Sequence, residues 1–201
     1  MAQARRLRLF VAIELPDGWR ELLVKESRAL ESTAPGFARW VDPALMHVTL
    51  VFLGGQDPAI LPAIEAAVDA AAAESEPFEL RLTAPGSFGG RRSLRVIWVG
   101  IEDRPAGALG RLQRSVAGQL RAAKVDFDDS PFRAHITLGR AKRVTTPIQS
   151  EAMHAAIARR GARPILPKIP AFKCADITLV RSDLRPTGPI YTPLRKSEIG
   201  G

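Results

Sequence analysis

His47-Val48-Thr49-Leu50 and His135-Ile136-Thr137-Leu138 are one tetrapeptide pattern met twice, 88 positions apart. These two stretches decide the fold. Each lies in a run of β-formers, at the same place in a repeated order of elements. On a strand, residues i and i+2 share a face. His47 and Thr49 therefore project together, while Met46, Val48, Leu50 and Phe52 are expected to point the other way into apolar packing. His135 and Thr137 stand in the same relation to Ile136 and Leu138.

Working outward, strand and helix signals alternate along the chain. Leu7 to Ile13 reads as a strand closed by Pro16, and Asp17 is placed to cap a helix carrying Trp19, Leu22, Leu23 and Leu30. After the strand from Met46 to Leu53, Ile60, Ile64 and Val68 mark one stripe of a second helix. Pro62 puts the start of its regular part near Ile60. Phe78, Leu80 and Leu82 alternate with Glu79, Arg81 and Thr83, and a Gly-rich basic turn leads into Arg95 to Ile101, so a hairpin is expected.

The second half repeats this order. Leu109, Leu112, Val116 and Leu120 mark a helix, and Ala134 to Leu138 a strand. A short helix around Met153 and Ile157 is expected to be capped by Ser150 and stopped by Gly161. Strands over 172–180 and 190–195 finish the chain. The unit helix, strand, helix, two strands thus occurs twice. The expected fold class is α+β: one domain over 1–201, bilobal and duplicated, with an antiparallel sheet and flanking helices in each lobe. The seam falls near 102–107, and the groove between the lobes holds the active site.

Composition narrows the setting. The 201 residues are 46% apolar and 25% charged, which excludes a disordered chain, and a single cysteine, Cys174, excludes a disulfide scaffold. No apolar run approaches the ~20 residues that cross a bilayer. Arg5, Arg6 and Arg8 are followed only by Leu9 to Ile13 before Glu14 and Pro16, too short for a secretory leader. A cytoplasmic, monomeric protein with no membrane partner is the default. The net charge of +8, mostly Arg, fits a nucleic-acid partner or simply an Arg- and Ala-rich genome.

The paired motifs point to chemistry. If the lobes face each other across a pseudo-twofold axis, two imidazoles and two hydroxyls converge. Phosphodiester hydrolysis needs a base for water and an acid for the leaving oxygen, and two histidines hold both roles near neutral pH. Threonine hydroxyls can donate to the non-bridging oxygens. No carboxylate accompanies either motif at ligand spacing, so a metal site is a poor reading and no cofactor is expected.

On these residues the sequence resembles the two-histidine (2H) phosphoesterase superfamily, defined by paired H-x-T-x motifs. More narrowly it is similar to the bacterial and archaeal RNA 2′,3′-cyclic phosphodiesterases, also called 2′-5′ RNA ligases. The likeness extends to Arg6 through Pro16, to Phe52-Leu53-Gly54, to Arg95 through Gly100, to Leu138-Gly139-Arg140 and to Tyr191 through Leu194. It implies a substrate of RNA with a 2′,3′-cyclic phosphate end. Carried over, His47 is the proton donor to the 3′-oxygen, His135 the proton acceptor from water, and Thr49 and Thr137 hold the phosphate. Relatives usually have Pro before the second histidine; here Ala134 stands there, leaving that backbone freer.

Other residues carry weaker expectations. Strand alternation sends Arg140 to the face opposite His135 unless Gly139 breaks the pattern; it is then a phosphate contact, otherwise a solvated Arg. Phe10 is a base-stacking or a core residue, and Tyr191 a substrate contact or a hydrogen-bonded structural tyrosine. Trp98 reads as core, His154 as surface, and Arg91, Arg92 and Arg95 as guides for RNA or free loop charges. Two rival activities remain beside hydrolysis: RNA 2′-5′ end joining, and a non-catalytic basic RNA-binding module whose motifs only grip phosphate.

Overall fold

Val48 and Ile136, the residues between His and Thr in each motif, pair with each other at the centre of one curled antiparallel sheet. The computed structural model describes residues 6–162, 169–186 and 188–200. The strands are β1 (Leu7–Glu14), β2 (Ala38–Trp40), β3 (His47–Gln56), β4 (Phe78–Gly90), β5 (Ser93–Arg104), β6 (His135–Ala141), β7 (Phe172–Cys174), β8 (Asp176–Arg185) and β9 (Gly188–Glu198). The helices are α1 (Asp17–Glu31), α2 (Leu61–Ala73), α3 (Ala108–Ala122) and α4 (Pro147–Gly161). Strand order is β7-β4-β5-β6-β3-β1-β8-β9, with β2 on β6. The α+β class holds, and the expected element order is recovered with two additions: β2 between α1 and β3, and a third strand after α4.

The arrangement differs from the expectation in one respect. A separate sheet in each lobe is replaced by one nine-stranded sheet, whose half with β7, β4, β5, β6 and β2 joins the half with β3, β1, β8 and β9 edge to edge at the Val48–Ile136 bridge. The repeats also interlace. β4 and β5 of the first repeat share a half with β6 of the second, β5 pairing with it directly, backed by α1 and α4; β3 of the first shares its half with β8 and β9, backed by α2 and α3. The expected seam near 102–107 falls at the end of β5 and in the turn before α3, and the sheet is continuous across it. Apolar residues explain the backing. Val48, Leu80, Ile97, Ile136 and Leu179 on the strands are fully buried with Leu23, Ile64, Leu112 and Met153 on the helices.

Local chemistry sets the ends. α4 starts earlier than expected: Thr146 is its cap, in a capping box with Gln149, and Ser150 is a buried residue inside the first turn. Asp17 is the first residue of α1 rather than its cap, and it pairs with Arg20. A 3-10 turn capped by Asp57 precedes α2, which starts at Leu61, beside Pro62. The single strand expected over 172–180 is two, β7 and β8, which lie in opposite halves of the sheet. Among the described residues, no helix is long and apolar enough to cross a membrane.

Candidate active site

The helix-free face of the sheet carries the motif side chains. Val48 and Ile136 are fully buried on the other face, while His47, Thr49, His135 and Thr137 are half-buried on this one. Antiparallel strands meeting at Val48–Ile136 set His47 across from Thr137 and Thr49 across from His135. The two histidines thus occupy one diagonal and the two threonines the other. Such a diagonal spans roughly 7–8 Å between Cα atoms, room for one phosphate group between the side chains.

Each imidazole is held in the same way. His47 Nδ1 lies 2.7 Å from the Leu45 carbonyl, and His135 Nδ1 lies 2.6 Å from the Arg133 carbonyl. A carbonyl only accepts, so Nδ1 carries the proton and donates, and Nε2 is left free to take or give one. The identical bond in the first repeat is made with Met46 before the histidine, so Ala134 in place of proline does not disturb the second.

Burial lowers the pKa of His47, opposed by its bond to Leu45 and assisted by the charges of His135 and Arg140. Burial likewise lowers that of His135, opposed by the bond to Arg133 and assisted by Arg140. Both rings therefore titrate on the acid side of an ordinary histidine.

A β-bulge in each motif strand re-aims the residue that follows. On β3, Val11 pairs Val51 and Ala12 pairs Thr49, which leaves Leu50 as an extra residue. On β6, Ile97 pairs Gly139 and Trp98 pairs Thr137, which leaves Leu138 as the extra one. Alternation flips at both places. Arg140 thereby joins the face of His135, where its charge acts on both imidazoles and on Tyr191. The break falls at Leu138 rather than Gly139, whose bare Cα admits the Trp40 ring: a Cβ there would lie 2.9 Å from it.

The equivalent residue on β3 is Phe52, and here sequence alternation misleads. Phe52 is 44% exposed on the site face instead of packed beneath it. Phe10 is the reverse case. Only 3% exposed, it has no face to offer a base; its ring stacks on His47 at 4.8 Å and fixes that plane. Tyr191 sets its edge against both rings, at 5.0 and 5.5 Å, and its hydroxyl bonds to no other described residue. Burial raises its pKa, against the opposing charges of Arg140 and Arg8.

On the other side, Phe88 meets the His135 ring edge-on at 5.0 Å, with Trp98 behind it at 6.4 Å from His135. Trp98 is thus part of the wall and not plain core; it lies over Gly86, where a Cβ would come within 2.2 Å of the indole. Phe52 and Phe88 escaped the sequence reading, although the shared five-residue offset of Phe52 and Arg140 from their histidines was visible in it.

Arg92 and Arg95 line a cleft opening beside His135, but Arg91 does not. His154 is no simple surface residue: it contacts Ser87 Oγ at 3.4 Å and the Gly90 carbonyl at 3.1 Å, bracing the β4–β5 turn. Cys174 is buried and its thiol is pushed up to about 12, mainly by desolvation, so it is inert. Among the described residues, no cluster of three or more His, Cys, Asp or Glu is placed to hold a metal ion.

Known proteins share this fold and much of this sequence. A sequence model of the 2′-5′ RNA ligase superfamily matches residues 16–185. An RNA 2′,3′-cyclic phosphodiesterase of Archaeoglobus fulgidus is 32% identical over 96% of this chain and 100% of its own length. A protein of the same name from Geobacillus stearothermophilus is 30% identical over 91% of this chain, which spans 54% of that longer relative. A solved structure from Thermus thermophilus superposes with a TM-score of 0.75 at 29% identity, covering 96% of this chain and 98% of that one.

Proposed function

The chain belongs to the 2′-5′ RNA ligase superfamily, and from that premise we propose that it is an RNA 2′,3′-cyclic phosphodiesterase. It opens the cyclic phosphate at an RNA 3′ end and leaves a 2′-phosphomonoester. His135 Nε2 takes a proton from water as the water oxygen attacks phosphorus. The bond to the 3′-oxygen breaks, and His47 Nε2 delivers its proton to that oxygen. One proton is taken and one given, so exchange with solvent restores the pair.

The assignment of donor and acceptor follows the family resemblance. Thr49 and Thr137, on the second diagonal, donate to the non-bridging oxygens, and Arg140 offsets the charge that gathers there. Tyr191 and Phe10 hold the His47 ring between them. No metal enters this scheme. The reaction needs one chain only, since both motif strands belong to it, and it is placed in the cytoplasm, where a lone thiol such as Cys174 stays reduced.

One observation carries the reading: two imidazoles, each tied by Nδ1 to a carbonyl, on one diagonal across the Val48–Ile136 bridge. The test is phosphate-position analysis after incubating an oligonucleotide with a 2′,3′-cyclic end in excess EDTA. A 2′-monophosphate is expected at the rate seen without EDTA. A 3′-monophosphate, an intact ring or a product joined to a second RNA would overturn the proposal.

A further inference from the structure

The proposed reaction engages only the terminal phosphate, yet the cleft beside His135 is far larger than that group. Its volume is about 1040 Å³, at the upper end of the roughly 300–1,000 Å³ typical of small-ligand sites. Arg92, Arg95, Arg133, Arg140, Lys142 and Arg143 line it, and no Asp or Glu does. Among the described residues, only Arg92 of these six makes an ion pair, with Glu151 at 3.7 Å. The cations come from separate segments: the β4–β5 turn, β5, the loop before β6, and β6 with the loop after it. Bringing so many like charges to one concave surface is unfavourable until a polyanion fills it. The His47 side is poorer in cations: its rim is Phe52 and Tyr191, with Arg8 near enough for its charge to act on the tyrosine.

We infer that the RNA strand on the 5′ side of the cyclic phosphate lies in this cleft, and that the enzyme thereby selects oligonucleotides over mononucleosides with cyclic phosphates. The inference rests on the proposed activity and gives its site a direction. The terminal base faces Phe52 on the His47 side, and the backbone upstream of it passes His135. Guanidinium forks meet successive phosphodiester oxygens there, and Phe88, with the Arg133 guanidinium 5.9 Å from its ring centre, offers a stacking surface beside them. Neutralising each phosphate of a single strand releases counterions, so binding weakens with salt by a slope of about 0.7 per contact.

The test compares kcat/KM for adenosine 2′,3′-cyclic phosphate and for a hexaribonucleotide ending in the same cyclic nucleotide, across a salt series. The wild-type enzyme is expected to prefer the oligonucleotide at least about tenfold at low salt, with the preference fading as salt rises. The triple variant R95A/K142A/R143A replaces three exposed side chains. It should lower the oligonucleotide-to-mononucleotide ratio by at least about tenfold and flatten the salt slope by about 2.

Equal kcat/KM for the two substrates in the wild type, or an unchanged ratio in the variant, overturns the inference while the activity stands. Turnover of neither substrate overturns the activity itself. A third arm measures inhibition of mononucleotide turnover by ATP. If the variant loses that inhibition and keeps the ratio, the cleft takes a free nucleoside triphosphate instead of RNA, and the inference falls.

Discussion

The two sides of the site share a backbone and differ in what surrounds it. β3 and β6 carry the same His-x-Thr spacing, the same bond from Nδ1 to the carbonyl two residues earlier, and the same bulge at the fourth motif residue. Five residues beyond the histidine, however, β3 presents Phe52 and β6 presents Arg140. Around His47 are Phe10, Phe52 and Tyr191; around His135 the cleft is basic. In the proposed reaction, the repeated motifs supply an acid/base pair with no built-in sense of direction. Under the proposed reading, the difference at the rim supplies the direction, because a base is drawn to an aromatic face and a backbone to cations.

The largest effect expected is loss of either imidazole. Replacing His47 or His135 by Ala should cut kcat by at least ~100-fold, the lower range for a positioned acid or base. Their residual pH profiles should differ: without His135 the acid limb disappears, and without His47 the alkaline limb. Identical residual profiles would break the division of labour. In the wild type, both limbs of kcat/KM should lie below the ~6.5 of an unperturbed histidine, because burial disfavours both cations.

Arg140→Ala comes next, with an expected loss in kcat/KM of about 10- to 100-fold for oligonucleotide and mononucleotide alike. Both limbs should also move to higher pH, since a positive charge beside each ring is removed. Phe52→Ala should raise KM by roughly tenfold, in line with about 1–3 kcal/mol for a base–aromatic stack, and leave the limbs in place. A shift of the limbs by Phe52→Ala, and none by Arg140→Ala, would reverse the comparison.

A smaller effect tests the bulge. Position 139 matches Val51 of β3, and it lies beneath the Trp40 ring, where a Cβ would come within 2.9 Å of the indole. Gly139→Ala should destabilise the protein by about 1–3 kcal/mol, measured by urea unfolding, as overpacking does. Full stability would mean that the Trp40 ring yields freely and does not hold the bulge.

The smallest effect is in pH-dependent stability. Because both imidazoles titrate lower in the folded chain, the unfolded chain binds more protons between the folded and ordinary values. Their contribution is present above the ordinary histidine pKa and is lost as pH falls through it toward the folded values. Urea midpoints between pH 7.5 and 5 should show this decline, and His47→Ala should make it shallower.

The amino-acid sequence alone determined the paired motifs, the common face of histidine and threonine within each, the repeated element order and the apolar stripes of the helices. All of these rest on chain periodicities of two or 3.6 residues, which neighbours in sequence set. Tertiary structure decided the rest. Leu50 and Leu138 became extra residues only through the register of β1 against β3 and β5 against β6, and that register put Arg140 and Phe52 on the site face. Phe10 was buried, and Phe52 was not, according to what packed above each. The interlacing of repeats and the gathering of cations from separate segments likewise arise where distant strands meet, and no local pattern records where that is.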